Sequence, residues 1–167
     1  MPIPSVFFTD PADDLVLSVA DRLDQIDAEE ARLMSGVSAR EAMLQSVRDT
    51  LDLGGMCKVC MIDGSPELVC GACRDGMLSD SGQIWMLRTD VPARWPKLFM
   101  RYSAEILRAL IADSGDIEYG NWCLAENVRT IRWLQRLGFV FDADAFFNGH
   151  MWRHFRITEG DIHGSDR

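Results

Sequence analysis

The stretch NWCLAENVRTIRWLQRLGFVF, residues 121–141, constrains this chain more than any other. It joins an extended run to an Asn at a helix start and then to a short helix that ends Leu-Gly-Phe. Val128, Ile131, Leu134 and Leu137 recur at the spacing that lines one helical face, so the helix has a face to bury. Gly138 supplies the left-handed residue that ends a helix at least cost. Strands on both sides of so short a helix call for a helix laid against a sheet.

The rest of the chain extends that reading. SVFFTD reads as a strand, and Asp10-Pro11 as the start of one amphipathic helix along Leu15, Val16, Val19, Leu23 and Ile26. Ser38 and Glu41 form a capping box for a second helix through Met43, Leu44, Val47 and Leu51, which Gly54-Gly55 stops. Three antiparallel strands follow: MCKVCMID, then ELVCGACRD after a turn at Gly64-Ser65-Pro66, then QIWMLRT after a turn through Ser79 to Gly82. Pro92 and Pro96 bracket an irregular stretch before a helix along Leu98, Phe99, Tyr102, Ile106, Leu107 and Leu110. IEYGNWCL is a strand, and FVFDA with HMWRHFRI a closing hairpin. The order β-α-α-β-β-β-α-β-α-β-β defines a single α/β domain with a mixed sheet over residues 1–157, and TEGDIHGSDR, residues 158–167, is expected to be a loose tail.

A length of 167 residues suits one domain with one sizeable core. The net charge of −9 is uneven: residues 1–87 carry 15 acidic against 6 basic side chains, residues 88–167 carry 11 of each. Such a chain is repelled by phosphate backbones, which excludes nucleic acid and favours a basic partner. No apolar run reaches the roughly 20 residues of a membrane span. MPIPSVFFTDPADD lacks the features of a secretory signal, so a cytosolic protein without disulfides is expected.

Cys57, Cys60, Cys70 and Cys73 form two Cys-x-x-Cys pairs, a spacing that suits zinc. Residues three apart on a strand face opposite ways, and a turn falls midway between the pairs. Buried free thiols on a hairpin are therefore expected, with no metal. His150 and His154, about 13 Å apart along a strand, read as sheet-surface residues. The five tryptophans read as core or half-core packing.

The Asn-to-Gly-Phe block, following a β-α-β run, resembles the last motif of the GNAT N-acetyltransferase superfamily, and the element order fits that fold. MIDGSPELVCGAC, RWPKLFMRYSAEIL and the 122–141 block are similar to the internal virion protein A family of short-tailed bacteriophages. The resemblance implies a GNAT-like, mostly antiparallel sheet flanked by helices. It also implies an acetyl-CoA site where the two central parallel strands splay, its pyrophosphate held by a small-residue loop. Leu87, Arg88, Thr89, Arg94, Lys97 and Asn127 occupy the corresponding positions. Lys97 and Phe99 replace small residues of that loop, Pro92 and Pro96 remove amides, and Asp90 adds a negative charge. Leu134 stands where the family's proton-donating Tyr falls, leaving Glu118 and Glu67 as the carboxylates within reach of base chemistry. The expectation is thus a catalytically silent, virion-associated or morphogenesis protein with no cofactor. Its partners would be other phage structural or assembly proteins, in the host cytoplasm and in the particle. The alternative is an active acetyltransferase that moves acetyl from acetyl-CoA to an amine.

Overall fold

A computed structural model describes residues 2–163. Its strands are β1 (Val6–Thr9), β2 (Met56–Ile62), β3 (Ser65–Arg74), β4 (Ser81–Arg88), β5 (Glu118–Leu124), β6 (Val140–Phe147) and β7 (His150–Ile157). The helices are α1 (Asp13–Ala20), α2 (Gln25–Ser35), α3 (Ala39–Asp52), α4 (Val91–Arg94), α5 (Pro96–Leu110) and α6 (Val128–Leu137). The seven strands follow the order β1-β2-β3-β4-β5-β7-β6. β4 and β5 run parallel, while β1–β2, β5–β7 and β6–β7 are antiparallel. This is the mixed, mostly antiparallel sheet with flanking helices that the element order implied.

Two helices depart from expectation. The apolar stripe from Leu15 to Ile26 belongs to α1 and α2, which are separate: the backbone turns at Asp24, whose N–H donates to the Arg88 carbonyl at 3.0 Å and whose side chain makes no capping bond. That break brings Asp27, on the first turn of α2, to Arg88. Asp10 does not cap α1, which starts at Asp13 after Ala12. The irregular stretch between Pro92 and Pro96 contains the single turn α4.

The contacts divide the chain into two compact units, residues 1–71 with 85–95, and residues 72–84 with 96–167. In the first, Val16, Val19, Met43 and Val47 of α1 and α3 pack with Cys57, Val59, Met61 and Val69, and Leu87 and Trp85 border the cluster. Trp85 Nε1 donates to the buried Thr50 hydroxyl at 3.0 Å. Ser38 caps α3 as expected. The β2–β3 reversal is the two-residue turn Asp63-Gly64, with φ of 49° and 79°, and not Gly64-Ser65-Pro66. Two left-handed residues twist a hairpin the way its strands twist, and Asp-Gly meets that requirement most easily.

In the second unit, Trp152, Leu124, Ile157 and Ile111 are the most deeply buried large side chains. Asn127 accepts a hydrogen bond from the Thr130 N–H at 3.3 Å and caps α6, and Gly138 closes that helix at φ 110°. Val128, expected on the apolar face, is exposed at the first helical position, and Thr130 is buried. Asn148-Gly149 repeats the left-handed pair at the β6–β7 turn. Residues 158–163 are held where a loose tail was expected. Glu159 accepts from the Asp113 and Gly115 N–H groups at 3.1 and 3.0 Å, and His163 donates to the Leu137 carbonyl at 2.9 Å. These bonds satisfy carbonyl and amide groups that a turn and a helix end leave open. The remaining tail positions, 164–167, lie outside the described residues.

Candidate functional site

The loop after β4 is where the sequence placed most candidate residues, and in the first unit it closes on a buried carboxylate. Glu67 of β3 is 3% exposed. It accepts hydrogen bonds from the Thr89 hydroxyl and from Arg94 Nη2, and Arg22 Nη1 lies 3.7 Å away. Arg94 also donates through Nε to Asp90 at 2.6 Å. Burial alone would push the Glu67 carboxyl up. The Thr89 and Arg94 hydrogen bonds, the Arg94 charge and a Ser65 hydrogen bond outweigh it and hold the group below the usual carboxylate range. A carboxylate held this way is a poor proton acceptor, so Glu67 anchors the Thr89–Trp95 loop instead of serving as a base.

The same loop consumes its own amides. Thr89 N–H donates to the Glu67 carbonyl, Ala93 and Arg94 donate to the Asp90 carbonyl, and Trp95 donates to Val91. Pro92 has no donor. Arg88, 7% exposed, gives Nη1 to both Asp27 oxygens at 3.1 and 3.0 Å and its backbone N–H to Oδ2 at 3.2 Å. Leu87 packs on the core of its unit. Arg88 and Leu87, both expected near a cofactor, thus serve the fold.

A diphosphate needs uncommitted amides and cations. Thr89–Trp95 offers few. The second unit offers more: α5 begins at Pro96, so the Lys97 and Leu98 N–H groups have no acceptor within the helix, and the Lys97 side chain sits in that first turn. Asn127 is buried as a helix cap. Lys97, expected near a cofactor, stands at that helix start.

Parallel pairing of β4 with β5 spans only Ser81↔Glu118, Gly82↔Tyr119 and Gln83↔Gly120, after which Asn121 Nδ2 donates to the Ile84 carbonyl at 2.9 Å. Gly82 is required there, because a Cβ would stand 2.4 Å from the Cys73 carbonyl oxygen. Glu118 is half exposed and accepts from Arg156 Nη1 at 2.9 Å. Leu134 is buried in α6. All five cysteines are buried, and burial, with the Glu67 charge, pushes the Cys60 thiol up to about 12. Among the described residues no group of three His, Cys, Asp or Glu side chains is placed to hold a metal ion.

Besides the Asp27–Arg88 pair, sequence reasoning missed two further arrangements, the Glu67–Arg94 ion pair and a pair of Asp142 with His154. The first joins residues 27 positions apart, for which no local pattern exists. The second depends on the register shift between Phe141 and Ala143: the Asn148-Gly149 turn alone pairs His154 with Ala143 and would put Asp142 on the other face of the hairpin.

Neutralising Glu67 tests its anchoring role. Glu67→Gln is expected to lower unfolding stability at pH 7 by about 1.5–3 kcal/mol, the range for a hydrogen bond to a charged group. Because the folded carboxyl lies below its unfolded value, its contribution is present above the unfolded pKa and lost as pH falls through the folded one. Urea unfolding at pH 7 and in acid should show the two proteins converging as pH drops.

No family model and no curated protein matches this chain. Solved structures do. Spermidine N-acetyltransferase from Vibrio cholerae, in complex with CoA and spermine, superposes with a TM-score of 0.68 at 10% identity over 93% of this chain and 96% of its own. A putative acetyltransferase from Salmonella typhimurium, with its cofactor acetyl-CoA, gives 0.63 at 13% identity over 99% of both chains. A GNAT-family acetyltransferase from Streptococcus pneumoniae gives 0.61 at 10% identity over 92% of this chain and 99% of its own. Identity this low establishes the fold alone, and the fold is that of the GNAT acetyltransferases. The phage resemblance gains no support from these matches.

Proposed function

We propose that this chain is an acetyl-CoA-dependent N-acetyltransferase whose acceptor is an amine on a small molecule or a protein. The observation that carries this reading is the likeness, over nearly the full length, to solved acetyltransferases whose complexes contain CoA or acetyl-CoA. Acetyl-CoA supplies an activated acetyl group as a thioester. Lys97 and the first amides of α5 suit its diphosphate. The net charge of −9 favours the approach of a cationic amine. Leu134 has no proton to give, so protonation of the departing sulfur falls to solvent.

A second reading is favoured by the loop itself. Arg94 is committed to Glu67 and Asp90, and Pro92 and Pro96 stand where amides would be useful. On this reading the chain is a virion-associated or assembly protein of a short-tailed phage, built on a catalytically silent fold. It would act with other phage structural proteins in the host cytoplasm and the particle.

Calorimetric titration with acetyl-CoA separates the two. The first reading expects saturable heat below about 1 mM, the concentration that reveals an interaction of about −4 kcal/mol. It also expects Lys97→Ala to weaken binding about tenfold, the loss of one charge-assisted contact. An absence of heat across that range would overturn it. Repeated recovery of the chain from purified phage particles would support the second.

A further inference from the structure

We infer that His154 is the base that takes the proton from the acceptor ammonium, with Asp142 as its positioning residue. The inference rests on the acetyltransferase reading and names a residue for it. His154 Nδ1 lies 2.7 Å from Asp142 Oδ1 across the β6–β7 hairpin, at the point where a register shift between Phe141 and Ala143 turns the Asp142 side chain toward it. Asp142 is fixed in turn: its second oxygen accepts from Arg156 Nε at 3.0 Å, and Arg156 is held by Glu118 at 2.9 Å. The carboxylates and guanidinium form a chain across β5, β7 and β6 that ends on the imidazole.

A carboxylate on one ring nitrogen sets the tautomer and leaves the other nitrogen as the acceptor. His154 Nε2 has no hydrogen-bond partner among the described residues and is not sealed from solvent. The ring lies beside Trp122, with centroids 5.0 Å apart, and over Gly120, where a Cβ would stand 2.9 Å from Nε2. Gly120 is also the last β5 residue in parallel register with β4. The imidazole therefore lies at the position where that pairing ends. The hydrogen bond from His154, together with Arg156, holds the Asp142 carboxyl below the usual carboxylate range, so the orienting charge persists through neutral pH.

The step balances without another reagent. Nε2 takes one proton from the ammonium, and the freed amine forms a C–N bond to the thioester carbon. The C–S bond breaks with its electron pair going to sulfur. The second amine proton is released, and solvent protonates the thiolate. The charged groups facing His154 are Asp142 on β6, Arg156 on β7 and, through Arg156, Glu118 on β5.

The test measures thiol release from acetyl-CoA, with spermine and a polylysine peptide as acceptor probes, from pH 6 to 9. His154→Gln is expected to lower kcat/KM by about 10²-fold while leaving acetyl-CoA binding heat unchanged, and added imidazole should restore part of the rate to His154→Ala. Asp142→Asn should lower kcat/KM in the same direction as His154→Gln, again with acetyl-CoA binding heat unchanged. A second readout does not need turnover: nitrogen-15 NMR should find neutral His154 protonated on Nδ1 in the wild type, with that preference lost in Asp142→Asn. Wild-type rates in His154→Gln across the range, or a neutral ring protonated on Nε2, would overturn the inference alone. A wild type that binds acetyl-CoA but transfers acetyl to neither probe would overturn the inference. A wild type that gives neither heat nor thiol would remove the acetyltransferase reading beneath it.

Discussion

Asp27→Ala is expected to lower unfolding stability by about 3–5 kcal/mol, the cost of leaving one member of a buried ion pair without the other. Arg88 is 7% exposed and Asp27 2%, so neither charge has water to fall back on. Asp27 accepts from the Arg88 Nη1 and backbone N–H groups together, and removing it takes an acceptor from both. For a chain of this length the melting midpoint should fall by about 10 °C. A calorimetric midpoint within a degree or two of the wild type would show that the pair is dispensable.

The same carboxyl carries a pH signature opposite to that of Glu67. Burial pushes Asp27 up to about 6 from 3.8, although the charge and hydrogen bonds of Arg88 pull it down. The folded state thus binds this proton more tightly than the unfolded one. Its contribution is complete below 3.8 and lost as pH rises through about 6. Comparison with Asp27→Asn isolates the effect from the other carboxylates. From pH 7 to pH 4 the wild type should gain about 2–3 kcal/mol relative to the variant, the equivalent of a shift of about two pH units. A difference independent of pH would refute the raised value.

Trp152→Ala is expected to cost about 3–5 kcal/mol, the range for deleting a buried aromatic side chain. The ring is fully buried, stacks on Phe147 at 4.7 Å with 10° between planes, and donates Nε1 to the Phe147 carbonyl at 3.1 Å. Phe147 in turn meets Trp122 edge-on at 6.5 Å. The truncation therefore opens a cavity, removes a stacked pair and leaves a carbonyl without its donor. Trp152→Phe keeps most of the volume and should recover more than half of the loss. Urea unfolding of the two variants checks the order, and equal stability would show that the indole's size and donor do not matter.

Legibility followed the range of the interaction. The strand–helix–strand block around Asn127 and Gly138 was visible because a cap, an apolar period and a left-handed terminus all lie within about a dozen positions. The Asp63-Gly64 turn was misplaced by one residue, since Gly-Ser-Pro also reads as a turn and only strand register separates the two. The split of α1 from α2 was missed because the apolar stripe runs through Leu23 to Ile26, and the break exists to bring Asp27 to a residue 61 positions away. Among the site residues, Lys97 stands in the first turn of α5, while Arg88 and Arg94 are held by carboxylates. Their partners, Asp27 and Glu67, are acids that look like ordinary surface charges until the fold buries them.

The sequence by itself determined the seven strands, the capped starts of α3 and α6 and the acidic character of the chain, since each is set by neighbours in the chain or by composition. Tertiary structure decided which charges are spent on one another. Arg94 closes on Glu67, Arg88 on Asp27, and Asp142 on His154. Ion pairing depends on distance and burial in space, and neither is encoded in the spacing of residues along a chain.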